Sequence, residues 1–213
     1  MESQETGMIY MIRIPLVLLL LSSCSIISFG YLPEVVKNSI IGVDIEITDE
    51  FYNAQPYSFA KMKIGKSIVA ITILSNVRNG TYLWIAGDGE RIHTRNGKII
   101  MTEGLQHDVE VLDISNLGPS SYRDFNSELS TFNEILLQLD NPHAIIQQSL
   151  STTEVGIDQS FFNTMLYKES FSSGELTWNK DNFYWVDPTG RVVRTEQYIH
   201  PRMPKVVIEF FYK

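Results

Sequence analysis

Short apolar runs recur along the chain, separated by turn residues at intervals of about ten residues, a spacing typical of all-β proteins. In the first half the separators include Asn79-Gly80, Asp88-Gly89 and Asn96-Gly97. Asn-Gly and Asp-Gly pairs favour tight hairpins, because a type I′ turn needs positive φ at both central residues. We therefore predict consecutive strands over residues 57–64, 67–74, 81–86, 90–95 and 98–103.

Strand-like runs resume in the second half of the chain. They cover residues 135–139, 144–150, 161–167, 175–178, 183–186, 191–198 and 205–212. Many short strands joined by regular turns predict an all-β fold, an antiparallel meander that forms a β-barrel or a barrel-like sandwich. Val43, Ile45 and Ile47 alternate with polar residues and predict one further, half-exposed strand.

Two segments have helical spacing instead. Residues 32–41 begin near Pro33 and end before Gly42, as a short helix does. Residues 122–132 carry apolar side chains spaced either for one short helix or for a loop with scattered apolar residues. The prediction is thus an all-β domain with one or two short helices.

The single cysteine, Cys24, follows an apolar leader. The apolar run 14–21 is shorter than the ~20 residues that span a bilayer, and it has the layout of a secretory signal. Leu21-Ser22-Ser23-Cys24 resembles a bacterial lipobox, in which the thiol takes a diacylglycerol and the preceding peptide bond is cut. A buried free cysteine is the plain alternative. We predict that Cys24 is the lipidation site and that its acyl chains hold the protein to a membrane.

This leader also organises the chain. We predict a signal peptide at residues 1–23, a tether at 24–31 and a single all-β domain at 32–213, which is long enough for one core. The net charge of −8 argues against nucleic acid, which selects basic surfaces. Ser25, where an Asp would favour the inner membrane, predicts by resemblance to other lipoproteins the periplasmic face of the outer membrane.

Candidate chemistry is sparse. The sequence has no G-x-S-x-G elbow, no H-E-x-x-H helix and no Walker loop, and its histidines are too scattered to predict a metal or any other cofactor. Those histidines are His93, His107, His143 and His200. A glycosidase needs two carboxylates ~5–9.5 Å apart, which leaves a glycan-processing enzyme as one alternative. The candidate carboxylates are Asp44, Glu46, Asp88, Glu90, Glu103, Asp108, Asp187 and Glu196.

Aromatic residues leave two more interpretations open. In a groove they would stack on sugar rings, whereas in a core they would simply pack. Independently of the aromatic residues, a lipocalin-like carrier of a small apolar ligand in a barrel interior is a further alternative. These aromatics are Trp84, Trp178, Phe183, Tyr184, Trp185, Tyr198, Phe210, Phe211 and Tyr212.

Residues 97–103 and 190–196 share one pattern: Gly, a basic residue, two β-branched residues, any residue, Thr and Glu. Each segment follows a turn and has a tryptophan upstream, Trp84 or Trp185. The pattern indicates either a duplicated structural half or two unrelated hairpins, and seven residues are short for a repeat.

Residues 82–105 contain Trp84, Asp88-Gly89 and Gly104-Leu105, and residues 182–201 contain Trp185, Asp187, Gly190 and Pro201. These two segments resemble the GfcB/YjbF family of bacterial outer-membrane lipoproteins. Residues 82–105 and 182–201 carry the resemblance, with Lys98 and Thr195 in place of the family's Arg and Ser. The family-motif residues are Trp84, Gly97, Thr102, Gly104, Leu105, Trp185, Asp187, Gly190, Arg191, Gln197 and Pro201. The resemblance implies a β-barrel-like meander and no established catalytic residues, so these positions are predicted to be structural or to bind.

The resemblance also implies partners. Family members are encoded with capsule or exopolysaccharide secretion genes and work beside an outer-membrane β-barrel exopolysaccharide protein, which makes the polysaccharide itself a possible ligand. We predict a lipid-anchored outer-membrane accessory protein for capsule or exopolysaccharide export or assembly. Its expected mode of action is binding or scaffolding, not catalysis.

Overall fold

The structure, a computed structural model, describes residues 45–67, 69–117, 122 and 131–213. Within these ranges the chain forms twelve strands, one α-helix and a short 3-10 helix. The strands are β1 (Phe59–Ile64), β2 (Ala70–Arg78), β3 (Thr81–Ala86), β4 (Arg91–Arg95), β5 (Lys98–Glu103), β6 (Val109–Val111), β7 (Thr131–Leu139), β8 (Ala144–Asp158), β9 (Thr164–Ser173), β10 (Trp178–Val186), β11 (Val192–Gln197) and β12 (Val206–Phe211). The helices are α1 (Asp49–Ala54) and the 3-10 helix Ile114–Asn116.

The twelve strands form one closed antiparallel barrel. Each strand pairs with the next along the chain, and β1 pairs with β12 to complete the circle. In that closing pair Phe59 lies opposite Phe211, and Ile64 lies opposite Val206. A closed barrel leaves no unpaired strand edge. The predicted all-β antiparallel meander is therefore confirmed.

The Asn-Gly pairs form hairpin turns, as their sequence predicts. Asn79 and Gly80 join β2 to β3 with φ values of 52° and 76°, and Asn96 and Gly97 join β4 to β5 with 48° and 75°. Two positive φ values in succession are the geometry of a type I′ turn, which matches the twist of the flanking strands.

The second half of the barrel differs from its prediction in strand length. Residues 174–177 form a turn, so the predicted strand at 175–178 is wrong; Trp178 instead begins β10, which runs on to Val186. The predicted lengths of β8 and β9 are too short, because a prediction from apolar residues misses strand positions at which polar side chains face the interior. Thr152 and Glu169 are two such buried polar residues. The short strand β6 was not predicted at all.

Helix α1 packs on the strand that follows it. The side chain of Thr48 caps the helix by accepting a hydrogen bond from the backbone N–H of Phe51 at 3.1 Å. Phe51 and Tyr52 place their ring centroids 5.4 and 6.4 Å from that of Phe59, which is almost fully buried as a result. None of the helices in the described ranges is long and apolar enough to span a bilayer.

The segment before α1 corrects one prediction. Residues 45–48 are irregular and lead into the helix, so the predicted strand through Ile45 and Ile47 is wrong; Thr48 and two acidic residues after it favour a helix start. Val43 and the predicted helix at 32–41 lie outside the described residues. Of the predicted helix at 122–132, Phe132 belongs to β7, and residues 123–130 lie outside the described part.

Side chains fill the barrel interior. Trp84, Ile92, Leu150, Tyr184 and Val206 are among the most deeply buried residues. A cavity of about 20 Å³ remains beside Lys98 and Glu169, room for roughly one water. This interior cavity is too small for the ligand of a lipocalin-like carrier.

Candidate functional site

The first family segment holds a loop together through one carboxylate. Asp108 accepts hydrogen bonds from the hydroxyl of Thr102 at 2.8 Å and from the backbone N–H groups of Gly104 and Leu105 at 2.9 and 3.0 Å. The Thr102 hydroxyl also accepts from the backbone N–H of Val109 at 3.1 Å. Three family-motif residues therefore share one structural task, which is to shape the β5–β6 loop.

Gly97 and Gln197 join the two family segments across the barrel. The Gln197 amide donates to the carbonyl of Gly97 at 2.8 Å and accepts from the backbone N–H of Ile99 at 3.0 Å. A Cβ at Gly97 would lie 2.4 Å from Cγ1 of Val192, so only glycine permits this close approach of β5 to β11. The two segments with the shared pattern thus pack against each other.

Their tryptophans nevertheless occupy unrelated positions. Trp84 lies on β3 inside the barrel, and its indole donates to Thr94 at 2.9 Å. Trp185 lies on β10, on the opposite face from its buried neighbour Tyr184, and its indole donates to Asp158 at 2.8 Å. In the first segment the whole strand β4 separates Trp84 from the turn at Gly97, whereas in the second segment Trp185 lies on the strand that leads directly into the turn at Gly190. The two segments are therefore not equivalent parts of a duplicated half.

A buried polar cluster lies inside the barrel, and the sequence did not reveal it. Lys98 donates to both carboxylate oxygens of Glu169, at 3.0 and 2.9 Å. Asn182 and Tyr184 each donate to one of these oxygens at 3.2 Å. Burial raises the pKa of Tyr184 well above its ordinary value, and the Glu169 charge adds to that effect. The cluster satisfies the buried charge and lies beside the small cavity described above.

The second family segment builds a rigid turn between β10 and β11. Asp187 accepts from the backbone N–H and hydroxyl of Thr189 at 2.8 and 2.5 Å and from the backbone N–H of Arg191 at 3.0 Å. Gly190 closes the turn by donating its N–H to the Asp187 carbonyl at 2.9 Å, with φ of 86°. Burial raises the pKa of Asp187, but the hydrogen bonds from Thr189 and Arg191 outweigh it and hold the pKa below its usual value.

This turn forms one wall of a cleft of about 590 Å³, within the size range of small-ligand sites. Five separate parts of the chain line the cleft: α1 with the segment leading into it, Lys61 on β1, the β8–β9 turn, the β10–β11 turn and the end of β12. Two family-motif residues, Asp187 and Arg191, are among the lining residues. The other nine family-motif positions are not.

Aromatic side chains make up much of the cleft lining. Tyr52, Phe161, Phe162, Phe211 and Tyr212 all line it. Phe162 is 84% exposed and holds a φ of 50°, an unusual conformation for a bulky residue. An exposed aromatic ring beside a cleft is available to contact a ligand or a partner. The sequence did not predict Phe161 or Phe162 as site residues.

Most of the carboxylates considered from the sequence have structural partners. Glu103 bonds Arg91 and His93 at 3.0 Å, while Glu196 bonds Arg194 and Lys205. The hydrogen bond with Asp88 raises the pKa of Glu90 to about 7, with burial adding to it. These two carboxylates touch within the β3–β4 turn, closer than the separation a glycosidase uses. Glu46 is exposed in the cleft, and Asp44 lies outside the described residues.

The histidines do not gather into a metal site. His200 is buried and stacks on His107, with ring centroids 4.7 Å apart, and exposed Pro201 follows it in a turn. Among the described residues, no group of three or more histidine, cysteine, aspartate or glutamate side chains is placed to hold a metal ion. Cys24 lies outside the described part of the chain.

Comparison with known proteins agrees with the predicted resemblance. The sequence model of the family described as group 4 capsule polysaccharide lipoprotein GfcB, YjbF matches residues 32–211. The chain is 23% identical over 195 residues to the lipoprotein YjbF of Escherichia coli strain K12, covering 86% of this chain and 89% of that protein. Its fold is similar to the crystal structure of the hypothetical lipoprotein YmcC from Escherichia coli K12, with a TM-score of 0.69, 18% identity and coverage of 100% of this chain and 98% of that one. The chain therefore belongs to the group 4 capsule polysaccharide lipoprotein family GfcB, YjbF.

Proposed function

We propose that the protein is a lipid-anchored accessory of capsule or exopolysaccharide export or assembly, and that it acts by binding or scaffolding. The observation that carries this proposal is the family match over residues 32–211, because the family is one of lipoproteins associated with the group 4 capsule polysaccharide. Such a role needs a surface that contacts a glycan or a partner protein. The aromatic cleft is the candidate for that surface.

The chemistry of the cleft supports binding over hydrolysis. A glycosidase acid must be protonated near neutral pH, whereas internal hydrogen bonds hold the pKa of Asp187 below its usual value. Glu209 is paired with Arg194 at 2.5 Å and lies 4.0 Å from Lys61. Carboxylates with such partners hold a structure in place and are poorly suited to proton transfer.

Anchoring is the second part of the proposal. Residues 1–23 would be removed as a signal peptide, and acylated Cys24 would begin a tether, residues 24–31, ahead of one domain at 32–213. Two or more acyl chains make such an anchor stable. Ser25 would direct the protein to the periplasmic face of the outer membrane, beside an outer-membrane β-barrel exopolysaccharide protein.

Cys24→Ala tests the anchor, with Ser25→Ala as the matched control because it changes the neighbouring residue and keeps the thiol. We expect Cys24→Ala to move the protein into the aqueous phase of a detergent partition and to lower surface polysaccharide, while Ser25→Ala changes neither. Full surface polysaccharide with an unlipidated protein would overturn the anchoring part. Unchanged surface polysaccharide after deletion of the whole gene would overturn the function.

Two further experiments test location and partner. Ser25→Asp is expected to shift the lipoprotein toward inner-membrane fractions in a sucrose gradient, and an unchanged distribution would contradict the outer-membrane assignment.

Crosslinking in cells, followed by gentle solubilisation, is expected to recover an outer-membrane β-barrel protein. Recovery of the lipoprotein alone in wild-type cells would contradict the scaffolding role.

A further inference from the structure

Arg191 presents a positive charge to the cleft in a fixed position. Its Nε donates to Thr189 Oγ1 at 3.1 Å and to Asp187 Oδ2 at 3.4 Å. The side chain is nevertheless 55% exposed. The bonds to described residues use the Nε edge of the guanidinium, so the edge that carries the two Nη groups is open to a ligand.

The guanidinium of Arg191 also lies over an aromatic ring. The central carbon of Arg191 lies 5.2 Å from the ring centroid of Tyr212. Tyr212 is itself held by a hydrogen bond from its hydroxyl to the Val192 carbonyl at 3.1 Å, and Phe210 stacks on it. A guanidinium bonded through Nε and placed over an aromatic ring is partly preorganised to pair with a planar anion such as a carboxylate.

The neighbouring groups favour a sugar that carries such an anion. Phe162 offers an exposed apolar ring, which suits the C–H face of a sugar, and it lines the same cleft as Arg191. Of the three carboxylates in the cleft, Asp187 and Glu209 are bonded to basic or hydroxyl partners. Glu46 is the exposed one, and its charge opposes an anionic ligand.

We propose that the cleft binds an acidic polysaccharide and that the Nη edge of Arg191 pairs with a sugar carboxylate while Phe162 contacts the sugar ring. This inference rests on the proposed function and deepens it by naming the class of glycan. It also assigns a role to the turn made by Asp187, Thr189 and Gly190: the turn positions the arginine.

Calorimetric titration of the full lipidated protein in detergent micelles tests the inference. The probes are polygalacturonate oligosaccharides and the same oligosaccharides after reduction of their carboxyl groups, which keeps the backbone and removes the charge. We expect wild type to bind the acidic form at least about tenfold more tightly, the contribution of one charge-assisted pair. Arg191→Gln should abolish this preference, and Arg191→Lys should keep part of it because the charge remains without the planar fork.

Two more variants sharpen the result. Arg202→Gln removes an exposed arginine that is not among the cleft residues and should bind like wild type, while Glu46→Gln should tighten binding of the acidic form. Thermal unfolding of each variant checks that the fold is intact. If Arg191→Gln is unstable, Arg191→Lys and Glu46→Gln still decide the question.

The outcomes separate this inference from the proposed function. Equal affinity for both oligosaccharides, no binding of either, or an unchanged preference in a folded Arg191→Gln protein would overturn the acidic-glycan site. The export role would survive each of these results if gene deletion still lowered surface polysaccharide. Conversely, a normal acidic preference in vitro with no cellular effect of deletion would overturn the export role alone.

Discussion

Lys98 on β5 and Glu169 on β9 form an ion pair across the interior of the barrel, with Nζ–Oε distances of 3.0 and 2.9 Å. Only 11% of the Lys98 side chain and 4% of the Glu169 side chain are exposed. The two strands are four positions apart in the twelve-stranded barrel, so this pair bridges the interior between strands that are not neighbours. The positive charge of Lys98 therefore offsets the cost of burying the negative charge of Glu169, and the reverse.

Removing one partner of this pair is expected to destabilise the fold strongly. Lys98→Met leaves the buried Glu169 charge unpaired, which should lower the free energy of unfolding by about 3–5 kcal/mol in urea denaturation. The double variant Lys98→Met with Glu169→Leu should recover much of that loss, because no charge remains. Arg91→Ala, at the exposed pair with Glu103, is the control and should cost about 0–1 kcal/mol. Equal losses for the buried and exposed pairs would contradict this assignment.

The close approach of β5 to β11 predicts a penalty at one particular glycine. Gly97→Ala and Gly80→Ala both place a side chain at a φ near 75°, which costs about 1–2 kcal/mol. Gly97→Ala also forces a methyl group against Val192, adding about 1–3 kcal/mol, whereas the space around Gly80 is open. Chemical denaturation should show this difference, and Val192→Ala should relieve part of it in the Gly97→Ala background. Identical losses at the two glycines would refute the steric account.

The β5–β6 loop should depend on the carboxylate of Asp108. Asp108→Ala removes the acceptor for Thr102, Gly104 and Leu105, and we expect a loss of about 2–3 kcal/mol in the free energy of unfolding. Asp113→Ala is the matched control, because among the described residues that exposed carboxylate bonds only Ser115 and should matter less. Hydrogen exchange at the Gly104 and Leu105 amides should accelerate in Asp108→Ala only. Protection unchanged in that variant would disprove the role of Asp108.

Buried His200 should make stability depend on pH. Burial lowers its pKa below 6.5, the charges of His107 and Arg202 lower it further, and Asp140 opposes them. Below pH 6.5 the unfolded chain therefore gains a proton here that the folded chain does not, so the free energy of unfolding falls as pH drops from 6.5 toward the lowered pKa.

His200→Phe keeps a ring in the stack with His107 and removes the titration. We expect a shallower loss of melting temperature between about pH 7 and about pH 5 in this variant than in wild type. The exposed His143 provides the control: His143→Gln should follow the wild-type profile. Parallel profiles for wild type and His200→Phe would rule out a contribution from His200.

Phe162 should contribute to function and little to stability. Its ring is 84% exposed, so Phe162→Ala should change the free energy of unfolding by less than about 0.5 kcal/mol. If the cleft contacts the glycan, the same variant should lower surface polysaccharide in cells that carry no other copy of the gene. Leu176→Ala, at an exposed apolar residue in the β9–β10 turn, should leave surface polysaccharide unchanged. Normal polysaccharide with Phe162→Ala would remove this ring from the contact surface.

Much of the barrel could be predicted from the sequence because its signals are local. Asn79-Gly80 and Asn96-Gly97 mark their own turns, and the apolar runs between them are short enough to be strands only. The signal fails where the interior is polar. From the sequence alone Glu169 would be predicted to lie on the surface, as most glutamates do. It is buried because it pairs with Lys98, which lies four strands away in the barrel.

The cleft could not be predicted from the sequence, because the residues that line it are distant from one another along the chain. Tyr52, Phe162, Arg191 and Tyr212 come from four parts of the chain that only the closed barrel brings together. The family motif did identify Asp187 and Arg191, but a motif does not say that Asp187 holds a turn while Arg191 faces a cleft. These two different roles become visible only from the distances that Asp187 and Arg191 make to Thr189 and to each other.

The pairing of Phe59 with Phe211 also bears on how the chain is made. The closing seam joins the first and last strands of the barrel, so its loop-closure entropy cost is larger than that of any single hairpin. Contacts between distant parts of a chain form more slowly than those within hairpins, so we expect this seam to form last. Slow closure of the barrel fits the proposed export of the protein as a precursor with a signal peptide, because a chain that has not yet folded can be threaded through a translocation channel.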